Sequence, residues 1–136
     1  MANSWKGIYV VPGGARAVET TGDLFTWEIE HPMRVTDVEL VVSVLVAADT
    51  TDGVYALDGV IAGAARAEIG RVTLTEADAV GSSHSMAEED ATWYVAEFNE
   101  GDTLYIEGVT AAADSGTVAG DYYIHIYYEL IPDGVA

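Results

Sequence analysis

Three histidines and a large set of carboxylates are the side chains of this sequence that could carry out chemistry. A histidine can act as a general base, and clustered His, Asp and Cys can bind a metal ion. His31 precedes a proline, His84 lies in a serine-rich segment and His125 lies between two isoleucines, so no pair has the spacing of H-E-x-x-H. The serines near His84 lack a G-x-S-x-G context. The sequence therefore predicts no catalytic residue, no cofactor and no enzyme, and a cupin-like enzyme is the weakest functional alternative.

Four aspartates lie in predicted loops, where carboxylates and carbonyl groups could bind Ca²⁺. They are Asp49, Asp52, Asp114 and Asp121. No segment matches the EF-hand loop, and Asx-turns account for aspartates at turns without any metal. We therefore predict that these residues form turns and that the chain has no metal site.

A second set of residues could bind sugars by stacking, as in carbohydrate-binding sandwiches. It consists of the aromatic residues Tyr55, Trp93, Tyr94 and Tyr105. Aromatic side chains in strands also serve as core or interface residues, because they bury a large apolar surface. Both alternatives stay open at the level of sequence.

The chain of 136 residues has the length of one domain. Its hydrophobic residues occur in short runs broken by Gly, Asp and Thr, which is typical of an all-β fold. No run approaches the roughly 20 apolar residues that span a bilayer. The first residues, MANSWKG, lack the features of a secretory signal, and the absence of cysteine excludes a disulfide framework.

Charge is the strongest compositional feature. Five basic residues stand against 23 acidic ones, which gives a net charge of −18. Binding to nucleic acid or to an anionic membrane surface requires clustered Lys and Arg, so we predict neither as a partner. Such an acidic surface favours solubility and makes copies of the chain repel one another.

The segment Gly120–Pro132, GDYYIHIYYELIP, predicts a long central β-strand, because aromatic and β-branched residues dominate it. Side chains alternate across a strand. The predicted core face carries Tyr122, Ile124, Ile126, Tyr128 and Leu130. The opposite face carries Tyr123, His125, Tyr127, Glu129 and Ile131. This second face is too apolar for an ordinary solvent-facing surface, so it predicts a contact surface.

Further predicted strands are 24–30, 34–47, 54–62, 68–75, 92–98 and 103–109. In the strand 34–47, the predicted core face carries Val38, Leu40, Val42, Val44 and Val46. A single helical turn is predicted near 75–80, where Thr75 could act as an N-cap before acids and alanines. The regular spacing of turns favours an all-β, jelly-roll-like antiparallel β-sandwich.

Residues 1–22 predict an extended N-terminal arm, followed by a single β-sandwich domain over residues 23–136. Trp5 and the apolar run 8–11 form an extended segment that Pro12, Gly13 and Gly14 end as a turn. Two alternatives stay open for this arm. It could contact a neighbouring subunit, or it could be the first strand of its own sandwich.

The predicted oligomer or partner interface combines the arm with the outward faces of two strands. Its residues are Trp5, Tyr9, Val41, Leu45, Tyr123, His125 and Tyr127. Because both faces of the central strand are largely apolar or aromatic, we expect the chain to form a homo-oligomer, most simply a homotrimer.

Three segments carry a family resemblance. FNEGDTLYI (98–106) resembles the late hairpin of jelly-roll domains in viral and trimeric β-proteins. FTWEIEHPMRVTDVELVVS (25–43) and GDYYIHIYYELIP are similar to segments of small head proteins of tailed bacteriophages, which are decoration or cement proteins.

This resemblance implies a non-enzymatic virion structural protein that is made in the host cytoplasm and lies on the capsid surface. Its partners would be other copies of itself and the major capsid protein, and it would stabilise the shell through many weak, symmetry-repeated contacts. The alternative is a carbohydrate-binding or receptor-binding β-sandwich module of a viral fibre.

Overall fold

The computed structural model describes residues 5–132 and 134. These residues form ten β-strands and one helical turn. In chain order the elements are β1 (Trp5–Val10), β2 (Arg16–Ala17), β3 (Gly22–Glu28), β4 (Met33–Ala47), β5 (Gly53–Val60), β6 (Ala67–Leu74), β7 (Ser83–Ser85), α1 (Met86–Glu89), β8 (Ala96–Phe98), β9 (Thr103–Thr110) and β10 (Ala119–Leu130). Among the described residues, no helix has the length and apolarity to cross a membrane.

The strands form two antiparallel sheets that pack face to face as a β-sandwich. The six-stranded sheet has the order β1-β10-β4-β7, with β2 paired to β10 and β8 paired to β4. The four-stranded sheet has the order β3-β9-β5-β6. The predicted all-β sandwich is therefore confirmed. Because β3, β4 and β5 alternate between the sheets, the chain crosses the sandwich at each of these connections.

The middle of the six-stranded sheet consists of β10 and β4, which pair from Ala119 with Ala47 to Leu130 with Met33. The predicted core face of β10 is buried at Tyr122, Ile124 and Ile126 and becomes half-buried towards its end. Tyr122 packs against Tyr55 of the opposite sheet, with ring centroids 4.6 Å apart. The alternation in the sequence thus predicted the core side of this strand correctly, because a two-residue period leaves no other arrangement.

Strand β4 departs from strict alternation near its end. Val44 was predicted to face the core, but it is 44 % exposed and Leu45 beside it is 52 % exposed. The pairing with β10 shifts register on both sides of Asp121, next to Gly120 with a φ of 131°. Val44 pairs with Asp121, which neighbours the core-facing Tyr122 and therefore points to the outer side of the sheet. The two register shifts lie close together, so the alternation is broken only locally and Val46 is buried again.

The helical turn lies at Met86–Glu89, after β7, and not near 75–80. At the predicted position the side chain of Asp78 accepts a hydrogen bond from the backbone N–H of Thr75 at 2.8 Å, which closes a tight turn instead. The N-cap of the actual helix is Ser85, whose Oγ accepts from the backbone N–H of Glu88. Asp and Ser favour both turns and caps, so composition alone did not distinguish the two positions.

The predicted strand 92–98 is shorter than expected and begins only at Ala96. Asp90 Oδ1 accepts hydrogen bonds from both the backbone N–H and the hydroxyl of Thr92, which hold this segment in a turn. Trp93 then lies against Gly70 of β6, so close that a side chain at Gly70 would clash with the indole ring. The segment therefore covers the edge of the four-stranded sheet.

The predicted N-terminal arm forms the edge of the six-stranded sheet in the described residues. Strand β1 pairs with β10 from Trp5 with Leu130 to Val10 with His125. Tyr9 points into the sandwich and stacks on Trp27 of β3 at 4.5 Å and on Phe25 at 5.7 Å. Of the two alternatives for the arm, the structure therefore supports the first strand of the chain's own sandwich.

Candidate docking face

The surface of the six-stranded sheet that points away from the core is here called the outer face. It is built from alternate residues of β1, β10 and β4, because each strand sends every second side chain to this side. Cross-strand pairing places Ile8 beside Tyr127, Val10 beside His125, and Tyr123 beside Val41. The residues of the outer face used below are Ile8, Val10, Glu39, Val41, Val44, Leu45, Tyr123, His125 and Tyr127.

Five apolar or aromatic side chains of the outer face are exposed to solvent. The exposed fractions are 57 % for Ile8, 56 % for Val10, 52 % for Leu45, 44 % for Val44 and 40 % for Tyr123. Exposed apolar area is unfavourable by about 25 cal/mol per Å², and contiguous apolar patches on small proteins often mark contact surfaces. The outer face therefore has the character of a docking surface.

The polar groups at the centre of the outer face bind one another. The Tyr127 hydroxyl donates to Glu39 Oε1 at 3.1 Å, and His125 Nδ1 lies 3.6 Å from the same oxygen. Burial, followed by the hydrogen bond to the Glu39 carboxylate, raises the pKa of Tyr127. Because a tyrosine with a raised pKa stays protonated, it remains a donor to Glu39. This arrangement gives the outer face a fixed polar centre within an apolar surround.

One margin of the outer face carries two cations. Glu129 of β10 accepts a hydrogen bond from Arg34 Nη1 at 3.3 Å and lies 3.7 Å from Lys6 Nζ. Beside them, a groove of about 510 Å³ is lined by residues that include Ile8, Thr36 and Tyr127. Lys6 is 80 % exposed, and ion pairs of exposed side chains contribute little to stability, so its main effect is on the charge that this margin presents.

The structure brings five of the seven predicted interface residues together on the outer face. They are Val41, Leu45, Tyr123, His125 and Tyr127. Trp5 lies at the start of β1, is 69 % exposed, and borders a cleft with His31 and Leu130 at the end of the sandwich. Tyr9 belongs instead to the interior aromatic cluster with Trp27, so its ring is not available to a partner.

Sequence reasoning missed Ile8 and Val10, which are the most exposed apolar residues of the outer face. The signal was present in the alternation of WKGIYV, where Lys6, Ile8 and Val10 share one side. It was lost because this segment was interpreted as an arm and its two faces were not separated.

The outer surface of the four-stranded sheet has a different construction, centred on Arg66. The Arg66 guanidinium binds Asp58 through Nε at 2.9 Å and Asp23 through Nη2 at 2.7 Å. It also lies 3.6 Å from Glu107 and stacks 3.9 Å above the Tyr105 ring. One side chain thus joins β5, β9 and β3 across the sheet. The sequence contained no signal for this network, since Arg66 and Asp23 are 43 positions apart.

Two carboxyl groups of this network have opposite pKa shifts. The hydrogen bond from Arg66 holds the pKa of Asp23 below its ordinary value. The pKa of Glu107 is raised, first by a hydrogen bond with Asp58 and then by burial. Asp58 itself is only 4 % exposed. Arg66 therefore lies within 4 Å of all three of these acids and is their common cation.

The four aromatics considered as a sugar platform do not form one surface. Tyr55 is fully buried and donates its hydroxyl to Val18 O at 2.6 Å. Trp93 packs on Gly70, Tyr105 lies under Arg66, and only Tyr94 is largely exposed, at 49 %. The predicted stacking platform is therefore not assembled from these residues.

Of the four aspartates predicted in loops, Asp121 lies instead in β10, and Asp49 and Asp114 meet at one end of the sandwich. Asp49 accepts from the backbone N–H and hydroxyl of Ser115, both at 2.6 Å, and Asp114 accepts from the same N–H at 2.9 Å. The hydrogen bond with Asp114, together with those from Ser115, lowers the pKa of Asp49 to about 2. Within residues 5–132 and 134, no group of three or more His, Cys, Asp and Glu residues is placed to hold a metal ion.

Comparison with known proteins adds no family to this description. No protein-family model matches the chain, and no curated protein is similar to it. The class that the fold and the candidate site define is an acidic antiparallel β-sandwich with exposed apolar side chains on the outer face of one sheet.

Proposed function

We propose that this chain is a non-enzymatic structural protein of a virion, which decorates and cements the capsid of a bacteriophage. The observation that carries the proposal is the outer face, on which five apolar or aromatic side chains are 40–57 % exposed around a fixed polar centre. A protein that acts by adhesion needs such a surface and needs no assembled set of catalytic groups.

The proposed partner of the outer face is the major capsid protein. Each chain contributes a modest apolar area, and symmetry repeats the contact over the shell, so that weak individual contacts sum to a large effect. The net charge of −18 keeps the free chain soluble before it binds. The fibre-module alternative receives less support, because Tyr55, one of its proposed sugar-stacking residues, lies in the core.

The test is co-sedimentation of the purified chain with shells assembled from the major capsid protein of the same virus. The informative variant is Val44→Asp on the outer face, which would bury an unpaired carboxylate in the contact. Its matched control is Val109→Asp, the same change at a 37 % exposed valine on the outer surface of the four-stranded sheet.

We expect the wild type and Val109→Asp to sediment with the shells, and Val44→Asp to bind about tenfold more weakly or worse. A melting curve for each variant shows that both remain folded. Equal binding by the two variants would move the contact away from the outer face. No binding by the wild type, or absence of the chain from purified virions, would contradict the proposed function.

A further inference from the structure

The edge of the six-stranded sheet carries a second contact surface, formed by the backbone of β1. Val11 donates its backbone N–H to Ile124 O at 3.0 Å, so this residue faces β10. Backbone direction alternates along a strand, so Gly7 and Tyr9 also face β10 while Lys6, Ile8 and Val10 direct their N–H and C=O groups away from it. In the described part of the chain, no strand pairs with β1 on that side.

The other sheet edges in the described residues are protected. On β6, the backbone N–H of Arg71 donates to Asp90 Oδ2 at 2.9 Å and Trp93 covers Gly70. Strands β7 and β8 have only three residues each. Strand β3 carries exposed Asp23 and Glu28 and an irregular register after Asp23. Such coverage, shortness, charge and irregularity are the features that prevent edge pairing in natural proteins.

Strand β1 has little of this protection. Within its six residues it has no proline and no acid, and its pairing with β10 has no register shift. Trp5, Ile8 and Val10 are each more than half exposed. The one charged residue, Lys6, lies 3.7 Å from Glu129 of the same sheet. An edge with these properties can accept another extended strand.

Charge indicates which strand this edge can accept. Residues 1–18 contain no Asp or Glu and include two of the five cations, Lys6 and Arg16, so all 23 acids fall in the remaining sequence. Two copies of a chain with a net charge of −18 repel, and a contact between acid-free strands adds least to that repulsion, because salt screens the more distant acids. Strand β1 carries no acid of its own, and Glu129 beside it lies 3.7 Å from Lys6, so a two-fold contact between β1 edges brings two acid-free strands together.

We propose that β1 pairs with β1 of a second copy of this chain, in antiparallel orientation about a two-fold axis at Ile8. In this register Ile8 lies opposite its own symmetry mate, and Lys6 of each copy lies opposite Val10 of the other. All three outward-facing residues of each strand then exchange backbone bonds, which gives about six intermolecular hydrogen bonds. The product is a dimer with a continuous sheet, in place of the trimer that the sequence suggested.

This dimer also joins the two outer faces. Ile8 of each copy lies between its own Tyr127 and the neighbouring Ile8, so the apolar surface continues across the axis. A dimer therefore presents a docking face of twice the area. The proposal concerns contacts between copies of the chain and stands independently of the nature of the shell.

The test is the molar mass of the full chain, measured by sedimentation equilibrium over a range of concentrations in about 0.05 M and about 0.5 M NaCl. The diagnostic variant is Ile8→Pro, because proline removes only an outward N–H and is tolerated on edge strands. A second pair is Val10→Asp, which places an acid in the acid-free edge, with Val80→Asp as the matched change at a 65 % exposed loop valine.

We expect the wild type to be a dimer that tightens with salt, and Ile8→Pro and Val10→Asp to weaken it about tenfold or more. Val80→Asp should dimerise as the wild type does. If Ile8→Pro fails to fold, the comparison of Val10→Asp with Val80→Asp tests the dimer contact. A monomeric wild type at both salt concentrations, or an oligomer that Val10→Asp leaves intact, overturns the proposal. A wild type that dimerises but does not bind capsid shells would contradict the proposed function and still support the dimer.

Discussion

The two outer surfaces of the sandwich differ in whether their exposed side chains find partners within the chain. On the four-stranded sheet, Arg66 binds Asp58 and Asp23 and covers the Tyr105 ring, so the polar groups of that surface satisfy one another. On the six-stranded sheet, the exposed valines, leucine, isoleucine and tyrosine have no covering element within the described chain. One surface is completed by its own residues, and we propose that the other is completed by a partner.

The two surfaces also differ in the process that their interactions stabilise, which is folding for one and association for the other. The Arg66 network stabilises the fold of the isolated chain, because it spans three strands of one sheet. Residues of the outer face would contribute through contacts with the proposed partner. Substitutions on the first surface should therefore change folding, and substitutions on the second should change association.

The largest expected effect is that of Arg66→Ala on stability. It leaves Asp58, only 4 % exposed, without its cation and places Asp23 and Glu107 near each other without neutralisation. Because Arg66 is one-third exposed, the cost is less than for a fully buried pair, at about 2–3 kcal/mol. Urea unfolding measures it. Arg71→Ala, whose partner Glu68 is on the surface, is the control and should cost under about 1 kcal/mol. Equal losses for the two arginines would contradict the network's special role.

A second comparison uses the two sides of the six-stranded sheet. Tyr9→Ala removes a ring stacked on Trp27 and Phe25 and should lower the free energy of unfolding by about 2 kcal/mol. Tyr123→Ala, at a 40 % exposed position on the outer face, should change it by less than about 0.5 kcal/mol. Thermal or urea unfolding of monomeric samples distinguishes them. If Tyr123→Ala were the more damaging variant, the outer face would have a role in folding that this account does not give it.

A smaller, pH-dependent effect is expected at Glu107. Its pKa is raised, so its contribution to stability is complete below about pH 4.3 and is lost as pH rises through the folded-state pKa. Glu107→Gln removes this loss, so the variant should gain relative to the wild type between about pH 4 and pH 7. Because the side chain is 36 % exposed, solvent screening keeps the gain below about 1 kcal/mol.

Asp23→Asn provides the opposite control for Glu107→Gln. The pKa of Asp23 is lowered, so its contribution is present above about pH 3.9 and is lost as pH falls through the folded-state pKa. The cost of this substitution should therefore be seen at neutral pH and should disappear in acid. If the change in the free energy of unfolding followed pH in the same way for both variants, the pKa values of Asp23 and Glu107 would not be shifted in opposite directions.

The smallest expected effect is that of salt on the isolated fold. With 23 acids against five cations, added salt should screen repulsion and raise the melting temperature by a few degrees between about 0.05 M and about 0.5 M NaCl. Arg66→Ala should respond more steeply, because its carboxylates have lost their cation. A melting temperature that falls with salt would indicate that attractive ion pairs dominate over the excess of acids.

Alternation in the sequence predicted most of the fold. It placed Tyr122, Ile124 and Ile126 in the core and Tyr123 on the opposite face, because a strand buried on one side allows only one register. It failed at Val44, where two register shifts on either side of Asp121 break the alternation locally. It also failed for the helical turn, because an aspartate three residues beyond Thr75 favours a turn as readily as a first helical turn.

The candidate site was predictable only where it follows a single strand. His125 and Tyr127 were found from the period of β10, whereas their common partner Glu39 is far away in sequence and is brought in by strand pairing. Ile8 and Val10 join the same surface because β1 pairs with β10, and pairing between distant segments leaves no local signal. The Arg66 network could not be predicted either, because its residues come together only through pairing of distant strands.

Residue-by-residue protection on capsid shells tests the central claim most directly. Hydroxyl-radical labelling of the free and shell-bound chain reports the solvent access of each side chain. We expect Tyr123 and Leu45 of the outer face to become protected on binding, while Tyr94 and Val109, which lie away from it, are labelled as before. Protection of Val109 with Tyr123 still fully labelled would place the contact on the four-stranded sheet and contradict the account.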